Sequence, residues 1–322
     1  MVCLVSPMGT FYTGRLWYND DMQTYLTLNN GKKMPTLGLG TWKLDTNVAT
    51  ETVRYAVEEA GYRHIDCASI YGNEAELGEG FAKILAGPIK REELFVTSKL
   101  WNTAHHPDNV EKACKQTLKD LQLDYLDLYL VHWGIAFQPG GGLEPLDKDG
   151  WVITENVPLL ATWEAMEGLV KKGLVRSIGV SNFTVAMLLD LLTHAKVKPV
   201  TNQVELHPYL PQLGLLEFCT RHDIVLTAYS PLAHAGPAQF EGGVVEKLAK
   251  KYHKTIAQVL LNWAVSRGTA AIPKASDPKR VAENIDIFDF APTKAEQAAV
   301  AALDKKYRTC DPSEWWGVPY FA

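Results

Sequence analysis

Four residues of this chain, Asp66, Tyr71, Lys99 and His132, could together place a proton on the oxygen of a carbonyl. Two of them lie in the stretch from Gly61 to Glu74, Gly-Tyr-Arg-His-Ile-Asp-Cys-Ala-Ser-Ile-Tyr-Gly-Asn-Glu. Residues 64–68 read as a short buried strand that nonetheless carries a carboxylate, and a buried carboxylate is costly unless a cation or several donors satisfy it. Lys99, after another apolar run, can supply that cation. A lysine held there also favours the phenolate of Tyr71 and is expected to draw its pKa from about 10 towards neutrality, each unit being worth about 1.4 kcal/mol. His132, neutral and donating one ring hydrogen, can hold a carbonyl oxygen beside the tyrosine hydroxyl. On the 61–74 stretch alone another reading stays open, in which Asp66 caps the loop and Tyr71 packs on the next helix. The chain shows no Gly-x-Ser-x-Gly elbow, no metal-ligand cluster and no reactive cysteine motif. The attacking group must therefore be brought in, and a hydride from a nicotinamide fits that vacancy.

These residues need a frame that gathers them. Short apolar runs recur near 36–41, 64–68, 94–98, 126–131, 175–180, 199–204, 224–229 and 269–273. Helical patterns separate them: Val110, Ala113, Cys114, Thr117, Leu118 and Leu121 after Pro107 keep the spacing of a half-buried helix, as do Ala49, Val53, Ala56, Val57 and Ala60, and Ile256, Val259, Leu260, Trp263 and Ala264. Eight strands alternating with helices, with no compositional break, predict a (β/α)8 barrel of the TIM type over residues 22–322. Residues 24–28 and the turn at 29–32 predict a small N-terminal β-hairpin before it. A doubly wound sheet is the second choice, because Gly38-Leu39-Gly40 lacks a third glycine and Gly78-Glu79-Gly80 follows no strand. Residues 1–21 read as an appended arm, extended or poorly ordered.

In a barrel, functional residues gather at the C-terminal ends of the strands, which open onto one face. Trp42 follows the first run, Asp66 and Tyr71 the second, Lys99 the third, and His132 with Trp133 the fourth. Ser181 and Asn182 follow the fifth, Gln203 ends the sixth, Tyr229 ends the seventh and Lys274 follows the eighth. A lone histidine or lysine after a strand is more often structural, but convergence from eight strands favours a site. Long loops are expected over this face. Residues 132–157, with Gly140-Gly141-Gly142, form a connection long enough to be a lid. The connection after Leu232 and the tail 308–322, with Trp315, Trp316, Tyr320 and Phe321, would add further walls.

Composition narrows the partners. A net charge of -5 leaves no basic footprint for nucleic acid or anionic lipid, and the four-residue apolar run at Val2–Val5 is too short to span a membrane. Five scattered cysteines without a CxxC pair argue against a disulfide framework or a zinc site, so no metal is expected and a cytoplasmic setting fits.

The 61–74 stretch resembles the signature of the aldo-keto reductase family. Gly61-Tyr62-Arg63-His64-Ile65-Asp66 and Tyr71-Gly72-Asn73-Glu74 carry the likeness, and the order Asp66, Tyr71, Lys99, His132 is similar to that family's catalytic tetrad. The resemblance runs from about residue 24 to the C-terminus. It implies that Ser181, Asn182 and Gln203 hold a nicotinamide carboxamide, that Tyr229 stacks on the ring, and that Ser230 and Leu232 extend this cradle. It further implies that Lys274, Arg280, Glu283 and Asn284 bind the adenosine phosphate end, where two cations suit the 2'-phosphate of NADPH, with NADH as a second cofactor. Val157-Pro-Leu-Leu, Thr162-Trp163-Glu164-Ala165 and the C-terminal residues look most like aldose and xylose reductases. Cys310 stands where xylose reductases tend to carry Asn, and losing that hydrogen bond weakens discrimination for an open-chain sugar.

The resulting expectation is NADPH-dependent reduction of aldoses and aldehydes with Tyr71 as general acid and Trp42, Trp101, Trp133 and Cys310 lining the substrate pocket. The alternatives are a reductase of ketones or lipid aldehydes, and a nicotinamide-binding regulatory or structural barrel without turnover. A small aldehyde or sugar is the expected partner, and a monomer or weak homodimer the expected state.

Overall fold

Eight short parallel strands, each too apolar to face water on either side, curl around one axis in this computed structural model, which describes residues 24–234 and 236–322. The expected arm, 1–21, lies outside the described residues. An antiparallel hairpin comes first, β1 (Tyr25–Thr27) with β2 (Lys33–Pro35). The barrel follows as β3 (Leu39–Gly40), α1 (Thr46–Glu58), β4 (His64–Asp66), α2 (Glu74–Leu85), β5 (Phe95–Leu100), α3 (Pro107–Asp120), β6 (Leu128–Val131), α4 (Leu159–Lys171), β7 (Ile178–Ser181), α5 (Val185–His194) and β8 (Thr201–Glu205). It is completed by α6 (Leu213–Arg221), β9 (Val225–Tyr229), α7 (Val244–Tyr252), α8 (Ile256–Ser266), β10 (Ala270–Ala271) and α9 (Pro278–Ile285), and two further helices follow, α10 (Lys294–Ala301) and α11 (Pro312–Trp316).

Every strand from β3 to β10 pairs in parallel with the next, and parallel bridges Leu37↔Ala271 and Gly40↔Lys274 join the last strand to the first. The sheet thus closes into the expected (β/α)8 barrel. The seam strands, β3 and β10, are the shortest, with two residues each where the runs predict five or six. Gly40 lies so close to the last strand that a Cβ there would stand 2.7 Å from the Ile272 carbonyl oxygen. Pro273, without an N–H, cannot extend the ladder.

The helices form as their patterns predict. Asp45 caps α1 by accepting from the Asn47 amide, and Ala49, Val53, Ala56 and Val57 face the core. Thr255 and Gln258 form a capping box at α8, which is buried from Gln258 to Ser266. The hairpin has a specific task. Leu26, Leu28 and Met34 pack with Phe95, Leu128 and Val200 at the N-terminal ends of the strands, sealing the barrel from below.

One buried acid stands apart. Glu74, at the start of α2, is 5% exposed and accepts from Ser98 Oγ (2.6 Å) and Thr117 Oγ1 (3.1 Å), with no cation paired to it among the described residues. Burial pushes its pKa up to about 7 against those two hydrogen bonds. A folded-state pKa raised above the unfolded one gives stability that is present at low pH and lost as pH rises through 7. By about pH 8 the loss amounts to roughly 3 kcal/mol. Glu74→Gln should therefore raise Tm more at pH 8 than at pH 5. Equal shifts in thermal melts at both would contradict this.

Candidate active site

β4 and β5 run side by side with Asp66 opposite Thr97, so Asp66 and Lys99 rise to the same end of the barrel. Lys99 is fully buried, and its Nζ donates to Asp66 Oδ1 (2.6 Å), Asp66 Oδ2 (2.7 Å), the Cys67 carbonyl (2.8 Å) and the Tyr71 hydroxyl (3.1 Å). Burial pulls the ammonium's pKa down, but Asp66 and Tyr71 outweigh it and leave Lys99 at about 12. Lys99 is thus charged through the whole neutral range. A 3-10 turn over Ser69–Tyr71, ended by Gly72 at φ 67°, folds Tyr71 back onto Lys99, and Asn73 pins the turn by donating to the carbonyls of Thr41 and Leu44.

The expected acidic tyrosine is corrected here. Burial pushes Tyr71 up to about 12, and the downward pull of Lys99 only partly offsets this. The hydroxyl is held protonated, able to donate. His132 shows the same burial effect with the opposite sign. Burial, helped by the charge of Lys99 and by His105, holds it well below the ordinary imidazole range, so the ring is neutral. It meets Tyr71 edge-on at 5.9 Å between ring centres and Trp101 at 5.2 Å. Its Nδ1 is buried with no hydrogen-bond partner among the described residues, which leaves Nε2 as the nitrogen for a ligand.

Next to this group the ends of β7, β8 and β9 form a second network. Ser181 Oγ donates to the Gln203 carbonyl (2.8 Å), and Asn182, at φ 64°, donates to the His132 carbonyl (3.0 Å) and to Ser181 Oγ (3.1 Å). The Tyr229 hydroxyl donates to Asn182 Oδ1 (2.8 Å). Gln203 ties the two networks together, because its amide donates to both oxygens of Asp66 at 3.2 Å. Ser230 follows in a left-handed conformation, and Leu232 is half-buried beyond it. The remaining residues expected at a cofactor lie along the seam and α9. Lys274 and Arg280 are exposed and form no ion pair among the described residues, Glu283 stands 3.8 Å from Lys279, and Asn284 is buried.

Aromatic side chains wall the mouth. Trp101 and Trp133 both pack edge-to-face on Trp316, which is 2% exposed, and Phe137 completes the cluster. The 132–157 connection is clasped over them: Trp101 Nε1 donates to the Leu143 carbonyl (2.6 Å), Trp316 Nε1 to Glu144 (2.9 Å), and the Val152 amide to the Trp316 carbonyl (3.0 Å). Trp42 is not brought into this cluster. It is 38% exposed under the ammonium of Lys43. Cys310 is buried with its thiol against the Tyr229 hydroxyl.

Phe137 and Glu205 were missed in the sequence. Phe137 sits inside the long loop, where no periodicity marks it. Glu205 carries a signal, since it ends β8 two residues after Gln203 and so shares its face.

Among the described residues no helix is long and apolar enough to cross a membrane, and no group of His, Cys, Asp and Glu could hold a metal ion. The sequence profile of the Aldo/keto reductase family matches residues 36–307. An aldo-keto reductase family 1 member A1 from Gallus gallus is 47% identical over 89% of this chain and 91% of its own length. Aldose reductase B of Dictyostelium discoideum is 46% identical over 89% and 94%. Among solved structures, the aldose reductase of Schistosoma japonicum superposes with a TM-score of 0.88 at 40% identity, covering 92% of this chain and 98% of that one. A Bombyx mori aldo-keto reductase in complex with NADP reaches 0.83 at 38% identity, with the same coverage. With the barrel, the buried Asp66–Lys99–Tyr71 group and these likenesses together, the chain belongs to the aldo/keto reductase family of NAD(P)H-dependent oxidoreductases.

Proposed function

We propose that the protein reduces aldoses and other aldehydes to alcohols with NADPH, Tyr71 acting as the general acid. The observation that carries this reading is the single buried ammonium of Lys99 bonded at once to Asp66 and to the hydroxyl of Tyr71, beside a neutral His132. The chain's own residues suit the cofactor: Ser181, Asn182 and Gln203 offer amide and hydroxyl partners, Tyr229 a ring, and Lys274 with Arg280 two cations that pair with no carboxylate among the described residues. When bound, NADPH supplies a hydride for the carbonyl carbon. His132 Nε2 and the Tyr71 hydroxyl hold the carbonyl oxygen between them. As charge develops on that oxygen it becomes more basic than a phenolate, and Tyr71 gives up its proton. Lys99 stabilises the tyrosinate, and Asp66 keeps Lys99 charged. Trp101, Trp133 and Trp316 keep water from the carbonyl.

Residues 22–322 are read as one unit with 1–21 as an arm, in a cytoplasmic protein that is monomeric or weakly dimeric. The free thiols of Cys67, Cys114, Cys219 and Cys310 support that compartment. Exposed Leu143 and Trp151 on the clasped loop favour a second reading, reduction of carbonyl compounds with long apolar chains.

The test is a grid of kcat/KM for D-xylose, an aromatic aldehyde and a long-chain aldehyde with NADPH and with NADH. NADPH should be preferred, and Lys274→Ala with Arg280→Ala should erase the preference while leaving NADH rates unchanged. Turnover of none of the three would remove the reading. A long-chain aldehyde far ahead of the others would favour the second.

A further inference from the structure

Glu205 is fully buried at the end of β8, and all the groups around its carboxylate are donors. His207 Nε2 lies 2.9 Å from Oε1. Thr309 donates from its amide (2.8 and 3.1 Å) and from Oγ1 (2.5 Å), and the Cys310 amide donates to Oε2 (3.0 Å). Three of these four donors belong to a segment a hundred residues further on. They stand just before α11, and Trp316 at its end and Tyr320 beyond it pack on Trp133, with the Tyr320 hydroxyl accepting from the Gly134 amide at 2.8 Å. Glu205 also pairs in register with Tyr229, whose hydroxyl meets the Cys310 thiol.

We propose that Glu205 is a positioning residue whose carboxylate pins the C-terminal segment 309–322 to the barrel and so sets the substrate-facing wall formed by Trp133, Trp316 and Tyr320. This rests on the reductase reading for its effect on substrate, but the pin itself does not. An acceptor-only group is required, because a glutamine would turn an N–H towards the donors of Thr309 and Cys310. Burial pushes the carboxyl's pKa up, and the hydrogen bonds from His207, Thr309 and Cys310 more than reverse this, consistent with an ionised Glu205.

The test combines amide hydrogen exchange with kinetics on the full chain. In Glu205→Gln, exchange over 309–322 should rise at least 10-fold while the strands of the barrel are unchanged. Thr309→Val removes one donor, keeps the shape and should give a smaller rise in the same segment. KM for an aromatic aldehyde should rise about 10-fold in Glu205→Gln with kcat within about 3-fold. Unchanged exchange over 309–322 in both variants, a rise spread equally through the strands, or an unchanged KM overturns the proposal. A local rise in a protein that reduces no aldehyde, variant or wild type, supports the pin and overturns the reductase reading instead.

Discussion

Tyr71→Phe is expected to lower kcat for aldehyde reduction by roughly 10²- to 10⁴-fold, the range for loss of a positioned proton donor. The hydroxyl is the only group lost. Lys99 keeps its bonds to both oxygens of Asp66 and to the Cys67 carbonyl, so the ion pair and the fold should survive. The Ser181, Asn182, Gln203 and Tyr229 network makes no bond to Tyr71, so NADPH affinity should be unchanged. Stopped-flow reduction and fluorescence titration of NADPH check both statements. A variant that reduces aldehydes at the wild-type rate would show that the proton comes from elsewhere.

The second large effect concerns stability. Lys99→Met should destabilise the protein by about 3 to 5 kcal/mol, because a carboxylate is left buried without its cation. Among the described residues Asp66 would keep only the Gln203 amide at 3.2 Å. The double variant Asp66→Leu/Lys99→Met removes both charges, and apolar replacements of a buried pair are often neutral or stabilising. It should recover most of the lost stability in urea unfolding while remaining inactive. A double variant no more stable than Lys99→Met would mean that the pair also holds the strands together. Recovery of stability without activity would place the pair where its geometry suggests, in the chemistry rather than the scaffold.

Much of this arrangement was legible in the chain itself, for a physical reason. Parallel strands buried on both faces read as continuous apolar runs, and each of the eight predicted runs contains or overlaps a strand. A polar residue closing such a run then points to the open face, which is how Asp66, Lys99, Gln203 and Tyr229 were found. The lysine–aspartate contact followed from the need to neutralise a buried charge. The net effect on Tyr71 did not, because it depends on how deeply the hydroxyl is enclosed, and burial outweighs the nearby ammonium. The partners of Glu205 were invisible for a different reason: Thr309 and Cys310 are brought to it only by the path of the tail. Nor does spacing reveal that Trp42 stands apart from Trp101 and Trp133, since all three follow strands and only the packing of Trp316 separates them.

The most direct test of the central claim follows deuterium from NADPH labelled at the nicotinamide into an aromatic aldehyde during one turnover, in wild type and in Tyr71→Phe at saturating cofactor. The account predicts that the label reaches the former carbonyl carbon in the wild type, and that the same transfer is slowed at least about 10²-fold in the variant. Label that never reaches that carbon, or transfer at equal rates in the two proteins, would contradict it.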